Sequence, residues 1–193
     1  MSNPFDSGYY NENDLSAFGF KSVGKNVRIA KNCTIIGLDN ISIGNDVRID
    51  GYSTIIAAGG YVTLGSYIHI GGYAFISGGA GVIMEDFSGL SQGVRIYSKS
   101  DDYSGAYLTN PTIPPKYLNI VNGVVTLKRH VIIGSGSIIL PKVTIGEGSS
   151  VGALSVVTKS LGEWGVFVGS PVRRFKSRSR QLLEHEKNLL GNN

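Results

Sequence analysis

Aliphatic side chains recur at every sixth residue over most of this chain. The longest run is Leu127, Ile133, Ile139, Ile145, Val151 and Val157, with glycine directly following at Gly134, Gly146 and Gly152. A helix face repeats at three, four and seven, and a half-buried strand at two, so a period of six fits neither. It fits a parallel β-helix, in which each six-residue unit is a short strand plus a turn and every sixth side chain points into the stack. Upstream, the same spacing gives Val23, Ile29 and Ile35, then Ile43, Ile49 and Ile55, then Leu64, Ile70 and Ile76, then Met84, Leu90 and Ile96. Three such sides close a triangle, and a slip of two or three residues between triplets makes a bulge at one corner. Val27, Val47, Ile68 and Ala74, two positions before inward aliphatics, complete a layer inside the prism. Asn26, Asn32, Asn45, Gly51, Gly65 and Gly71 fall where a corner is expected to need positive φ.

The rhythm fails between Ile96 and Leu127. Pro111, Pro114 and Pro115 lie in this stretch and cannot donate to a β-ladder, so it reads as a loop. Loops this long in a compact domain are functional or disordered, and Tyr97, Tyr103, Tyr107 and Tyr117 argue for an ordered arm resting on a neighbouring subunit. Before the repeat, Asn13 or Asp14 is expected to cap a short helix running to Phe18 and ended by Gly19. Tyr9, Tyr10, Leu15, Phe18 and Phe20 would lid the first coil. After the repeat, a helix from about Ser177 to Leu190 is expected to lay Leu182, Leu183, Leu189 and Leu190 over the last coil. The expected fold is therefore all-β: a parallel β-helix of about six coils over residues 23–176, with an insertion at 97–125. An N-terminal cap (1–22) and a C-terminal α-helix (177–193) complete it.

Composition adds constraints. The 27 glycines in 193 residues are about twice the usual ~7%, and they sit at corners with no collagen triplet. The single Cys33 excludes an intrachain disulfide and fits a reducing cytoplasm. No run of residues approaches a membrane span, and no basic-then-apolar leader opens the chain. The net charge of +4 is uneven: Arg173, Arg174, Lys176, Arg178 and Arg180 crowd one short segment. Such a cluster attracts phosphate groups, and the remaining features favour a phosphorylated small molecule over nucleic acid.

The eighteen sixes in register, the single insertion and the ending Gly169-Ser170-Pro171-Val172-Arg173-Arg174 together resemble the hexapeptide-repeat acyltransferases. The resemblance is closest to the galactoside and maltose acetyltransferase branch and to the sugar acetyltransferases of bacterial surface polysaccharides. It implies a left-handed coil, a homotrimer, and acetyl-CoA as acyl donor in clefts between subunits. By position it implies that Ser135, Ala153, Thr158 and Lys159 line the coenzyme channel and that Arg173 and Lys176 hold its phosphates.

Galactoside-type members carry a histidine base in the loop leaving the coil, whereas this chain has Ser98-Lys99-Ser100-Asp101-Asp102 there. Asp101 is nearest that position, and Gly71 and Gly79 replace polar acceptor contacts, which disfavours a galactoside. A neutral sugar amine is already nucleophilic and needs chiefly orientation and a proton acceptor, which a carboxylate can supply. Repulsion between Asp101 and Asp102 could raise one of their pKa values. The catalytic candidates are Asp101, Asp102, His130 and His69, with His130 expected to face the mouth of the cleft. A zinc site needs a third prism histidine that is absent, so no metal is expected. The expected activity is acetyl-CoA-dependent N-acetylation of an amino-deoxy sugar, nucleotide-linked, in O-antigen-like synthesis in the cytoplasm. Sugar O-acetylation, antibiotic acetylation and a non-catalytic scaffold are the alternatives.

Overall fold

In the computed structural model, which describes residues 5–191, short strands stack into a three-sided prism. The first face holds Ser22–Val23, Ile41–Ile43, Val62–Leu64, Val82–Met84, Val125–Leu127 and Thr144–Ile145. The second holds Arg28–Ala30, Arg48–Ile49, His69–Ile70, Gly89–Leu90, Ile132–Ile133, Ser150–Val151 and Gly165–Val168. The third holds Thr34–Ile36, Thr54–Ile56, Phe75–Ser77, Arg95–Tyr97, Ile138–Ile139 and Val156–Val157. These strands are parallel, and the chain visits the faces in that order once per coil, giving six complete coils.

The six-residue period maps directly onto register. On the second face, Ile29 pairs with Ile49, Ile49 with Ile70, Ile70 with Leu90, Leu90 with Ile133, Ile133 with Val151 and Val151 with Phe167. Ile49, Ile70, Ile76, Ile96, Ile133 and Ile139 are fully buried, each stabilising by roughly 1.5–3 kcal/mol relative to exposure. Val27, Val47, Ile68 and Ala74 are buried beside them, as expected. Two buried serines are satisfied by the next coil's carbonyls, Ser137 Oγ donating to Gly152 O at 2.9 Å and Ser149 Oγ to Gly162 O at 2.7 Å, whereas the buried Ser88 Oγ has no partner among the described residues.

The corners differ from expectation. Asn26 has positive φ, but at Asn45, Gly51, Gly65 and Gly71 the left-handed residue comes one or two places later, at Asp46, Tyr52, Tyr67 and Tyr73, and neither Asn32 nor the two residues after it are left-handed. Gly51, Gly65 and Gly71 are instead needed for space. A Cβ at Gly71 would lie 2.8 Å from Gln92 N on the next coil, and one at Gly51 or Gly65 would overlap a side-chain oxygen. Left-handed corners accept large side chains because these stack along the prism. At the first–second corner the rings of Tyr67 and Phe87 stack at 4.6 Å and those of Phe87 and His130 at 5.1 Å. The next rung is Gly148, whose missing side chain is replaced by the indole of Trp164. At the second–third corner Tyr52 and Tyr73 stack at 5.0 Å, and the following rungs are Gly93 and Gly136.

Both ends are capped by chain outside the repeat. Tyr9–Tyr10 adds antiparallel to Arg28–Ala30, and the helix α1 (Glu12–Ala17) buries Leu15 over the open coil. Asn11, rather than Asn13 or Asp14, caps α1, and Asp14 supplies the reciprocal bond of a capping box. At the other end, Arg173–Ser177 is a strand antiparallel to Gly165–Val168, so Ser177 ends a strand rather than starting the helix. The helix α2 spans Leu182–Gly191. It docks through Glu186 on Arg129 and His130 and leaves Leu189 and Leu190 nearly half exposed. It therefore does not cover the last coil; Trp164 and Phe167, both buried, belong to that end. Arg178 ties the segment down, its guanidinium donating to the carbonyls of His130 at 2.8 Å and Gly148 at 3.0 Å.

The insertion leaves the third face after Tyr97 and rejoins the first at Val125, which pairs with Val82. Its base is a small antiparallel ladder between Lys99–Ser100 and Val121–Asn122. Its tip projects, with Tyr103 92% exposed and Tyr107, Leu108 and Tyr117 about half exposed.

Candidate active site

The insertion and the third face together make a cleft of about 650 Å³. Its floor is the outer surface of the third face, through Ser77, Tyr97, Ile138 and Leu140. Asp101, Tyr103 and Pro111 stand along the arm side, and Lys99 lies across Gly79, within 3.4 Å of where a Cβ would be. Gly79 thus makes room for a lysine rather than for a polar side chain of its own.

Asp101 faces this cleft with one hydrogen bond, from the Asn110 backbone N–H to Oδ2 at 3.3 Å. Its remaining acceptor positions are open to a ligand. Asp102 is used differently: Oδ1 accepts from Ser104 N at 2.9 Å and Oδ2 from Ser104 Oγ at 2.8 Å. These bonds hold its carboxyl below the usual carboxylate range, so repulsion from Asp101 does not raise it. Asp102 shapes the turn and stays an acceptor.

The histidines lie elsewhere. His130 is not at the mouth of the cleft; it stands at the first–second corner, 7% exposed, stacked on Phe87, with Nε2 2.8 Å from Glu186 Oε2. A left-handed φ of 59° turns it along the corner column, and α2 then closes over it. His69 is half exposed on the second face, with Nε2 2.8 Å from Asp50 Oδ2. Burial opposes ionisation of Asp50, but bonds from His69, Arg48 and Tyr9 outweigh it and hold the carboxyl below its ordinary range. Cys33 is half buried, donates to Asp50 O at 3.3 Å, and has its thiol pKa raised chiefly by desolvation. It is poorly suited to be a nucleophile.

The coenzyme candidates fall on three parts of the prism. Ser135 and Ala153 sit on consecutive coils at the second–third corner, with Ser135 Oγ 3.4 Å from Gln92 Oε1 on the coil before. A Cβ at Gly134 would lie 2.5 Å from Ala153 N, so this corner is bare backbone. Thr158 and Lys159 follow Val156–Val157 at the far edge of the third face, and Arg173 and Lys176 are exposed on the last strand of the second. One chain therefore presents these residues on separate edges rather than in one groove.

Known proteins share this architecture and more. The profile described as bacterial transferase hexapeptide (six repeats) matches residues 124–159. The chain is 46% identical over 178 residues to the dTDP-4-amino-4,6-dideoxy-D-glucose acyltransferase of Escherichia coli, covering 92% of this chain and 93% of that one. AntD, an N-acyltransferase from Bacillus cereus solved with dTDP and coenzyme A, superposes with a TM-score of 0.94 at 46% identity, covering 98% of this chain and 100% of its own. Structures of AntD include variants at one serine and at one aspartate ten positions further on, and one complex with dTDP-4-amino-4,6-dideoxyglucose. A maltose O-acetyltransferase from Clostridium difficile shares the fold alone, at a TM-score of 0.58 and 24% identity. With its stacked six-residue strands, single projecting arm and a relative matched over nearly its whole length, the chain belongs to the hexapeptide-repeat acyltransferases and has their left-handed β-helix.

Proposed function

We propose that this protein transfers an acetyl group from acetyl-CoA to the amino group of a dTDP-linked 4-amino-4,6-dideoxy sugar. The observation that carries the reading is a pair of residues. Ser91 is the one serine in this chain followed by an aspartate, Asp101, ten positions later, the order and spacing of the two residues varied in AntD, which is similar over its full length. Ser91 was not among the residues that sequence reasoning selected. Its signal was available: it follows the inward Leu90 at a place where other coils carry Gly71, Gly134 and Gly152.

In the proposed reaction the neutral amine attacks the thioester carbonyl, a carbon–nitrogen bond forms, and the carbon–sulfur bond breaks to release coenzyme A. Asp101 orients the amine and takes its proton, a role its open acceptor positions suit. Ser91 holds the reacting group from the opposite side through its hydroxyl. No acyl-enzyme is needed, since an amine is a competent nucleophile once neutral.

The placement of these two residues supports a homotrimer. Ser91 lies on the second face beside its corner with the third, and Asp101 beyond the far edge of the third face. The strand path between them, from Gly93 to Ser98, spans about 16 Å. No residue lining the Asp101 cleft comes from the second face. One amine would meet both residues where the second-face edge of one copy abuts the arm cleft of another. The same arrangement would join the coenzyme residues Ser135 and Ala153 of one copy with Thr158 and Lys159 of the next. We further infer that the enzyme acts in the cytoplasm in O-antigen-like polysaccharide synthesis.

The test is thiol release from acetyl-CoA with a panel of dTDP-linked amino sugars and matched hydroxyl sugars. Turnover is expected with the 4-amino sugar. Turnover with hydroxyl acceptors only would overturn the reading, and no turnover or coenzyme binding at all would favour a scaffold.

A further inference from the structure

The second face carries a basic surface that the acyl-transfer chemistry does not use. Its outward side chains form two columns along the prism. One runs Arg28, Arg48, His69, Gly89 and Ile132; the other runs Ala30, Asp50, Gly71, Ser91 and Gly134. Arg28 is exposed and has no ion-pair partner among the described residues, whereas Arg48 is fixed. Arg48 Nε donates to Asp50 Oδ1 at 2.7 Å, and the same carboxylate accepts from Tyr9 OH at 3.0 Å and meets His69 Nε2 at 2.8 Å. Bonding through Nε leaves both terminal nitrogens of the Arg48 guanidinium for another anion. Asp50 thus acts as a bracket that aims Arg48 and His69 outward rather than as a charge that cancels the patch.

Beside this group the surface is bare. Gly71 and Gly89 floor the space between His69 and Ser91. Coil packing demands the first, but not the second: a Cβ at Gly89 would make only ordinary contacts, 3.4 Å to His69 O and 3.5 Å to Ile132 Cδ1. Direction then follows from the proposed reaction, on which this inference rests. The coenzyme candidates lie on coils after Ser91, toward the C-terminal end. An acceptor attacking at Ser91 must therefore extend the other way, across Gly89 and Gly71 toward His69, Arg48 and Arg28. Coils are ~4.8 Å apart, close to the width of one pyranose ring. A hexose over the two glycines would place what it is linked to against His69 and Arg48, with Arg28 one coil further on.

We propose that Arg28, Arg48 and His69 form the docking site for the pyrophosphate of the nucleotide-linked acceptor. Two arginines on consecutive coils meet adjacent phosphates through charge-assisted bonds, and guanidinium groups are well matched to phosphate oxygens. The site selects for a nucleoside diphosphate handle on the sugar, leaving recognition of the amine to Ser91 and Asp101.

The experiment is calorimetric titration of the full-length protein with dTDP and, separately, with coenzyme A. It compares the wild type, Arg28→Ala/Arg48→Ala and Arg28→Lys/Arg48→Lys. The alanine pair should weaken dTDP binding at least thirtyfold while coenzyme A affinity stays within twofold. The lysine pair, which keeps charge and fold, should recover most of the loss. A dTDP affinity within threefold of wild type in the alanine pair would overturn the proposal, as would an equal loss for coenzyme A, which would assign the arginines to the donor's phosphates. Turnover assays separate the two readings: if the wild type acetylates no amino sugar the proposed reaction fails, while the dTDP titration still decides the docking site.

Discussion

Gly148 and Gly93 occupy equivalent left-handed corners, at φ 66° and 69°, and the same substitution should affect them very differently. Placing alanine at a left-handed φ costs about 1–2 kcal/mol from clash of Cβ with its own backbone. At Gly93 that is the whole cost, because the nearest atoms to a new Cβ are Gly136 Cα and N at 3.9 Å. At Gly148 the new methyl would overlap the ring of Trp164, which is 6% exposed and carries Arg180 over it at 5.0 Å. The indole must leave its seat, and losing a buried tryptophan costs about 3–5 kcal/mol. We expect Gly93→Ala to cost about 1–2 kcal/mol and Gly148→Ala roughly 4–7 kcal/mol by adding the two effects. Guanidinium unfolding at fixed protein concentration, followed by tryptophan fluorescence and far-UV circular dichroism, measures both. Trp164 is the only tryptophan, so its fluorescence also reports displacement directly. Adding Trp164→Ala should then make Gly148→Ala cost little more than the backbone penalty. Equal losses at the two glycines, or no coupling between Gly148 and Trp164, would refute the account of the corners as stacked columns.

Other outcomes follow from the same geometry. Asp101→Asn should lower the rate at saturating acetyl-CoA more than tenfold, whereas His130→Phe, which can retain the stack on Phe87, should stay within about threefold; steady-state kinetics on both distinguishes them. Ile76→Ala, at a fully buried position in the middle of the third face, should destabilise by about 2–5 kcal/mol, read by denaturant midpoint. Asp50 has a folded pKa below its unfolded value, so its stabilising effect is present above the unfolded pKa and is lost as pH falls through the folded one. The stability gap between wild type and Asp50→Asn should accordingly be full at neutral pH and close in acid, measured by melting temperature across pH 2–7.

The repeat was legible because its physics is local and periodic. A six-residue spacing of aliphatics can bury every sixth side chain only if the chain coils, and the breaks at 96 and 127 located the arm within a residue or two of where it leaves and rejoins. The site was less legible. Asp101 could be singled out by its place after the interruption, but Asp102 looked equivalent until Ser104 claimed both its oxygens. His130 looked catalytic because it stands near the insertion in sequence, and only α2, more than fifty residues later, buries it against Glu186. The Arg48–Asp50–His69 group joins residues from two coils, with Tyr9 reaching in from the cap, and no single stretch displays it.

Sequence alone determined that this chain is a prism of stacked short strands with one arm, since hydrophobic period and proline placement constrain backbone path without reference to distant partners. Tertiary structure decided which polar residues remain available to a ligand. That depends on what each side chain already bonds, and in a coiled stack the bonding partner can be the residue one coil away, about twenty positions distant in the chain, as His69 is for Asp50. The width of the third face, crossed by the strand Arg95–Tyr97, also sets Ser91 and Asp101 at opposite edges of it. Two residues ten positions apart in sequence are thereby held on separate edges within a single copy.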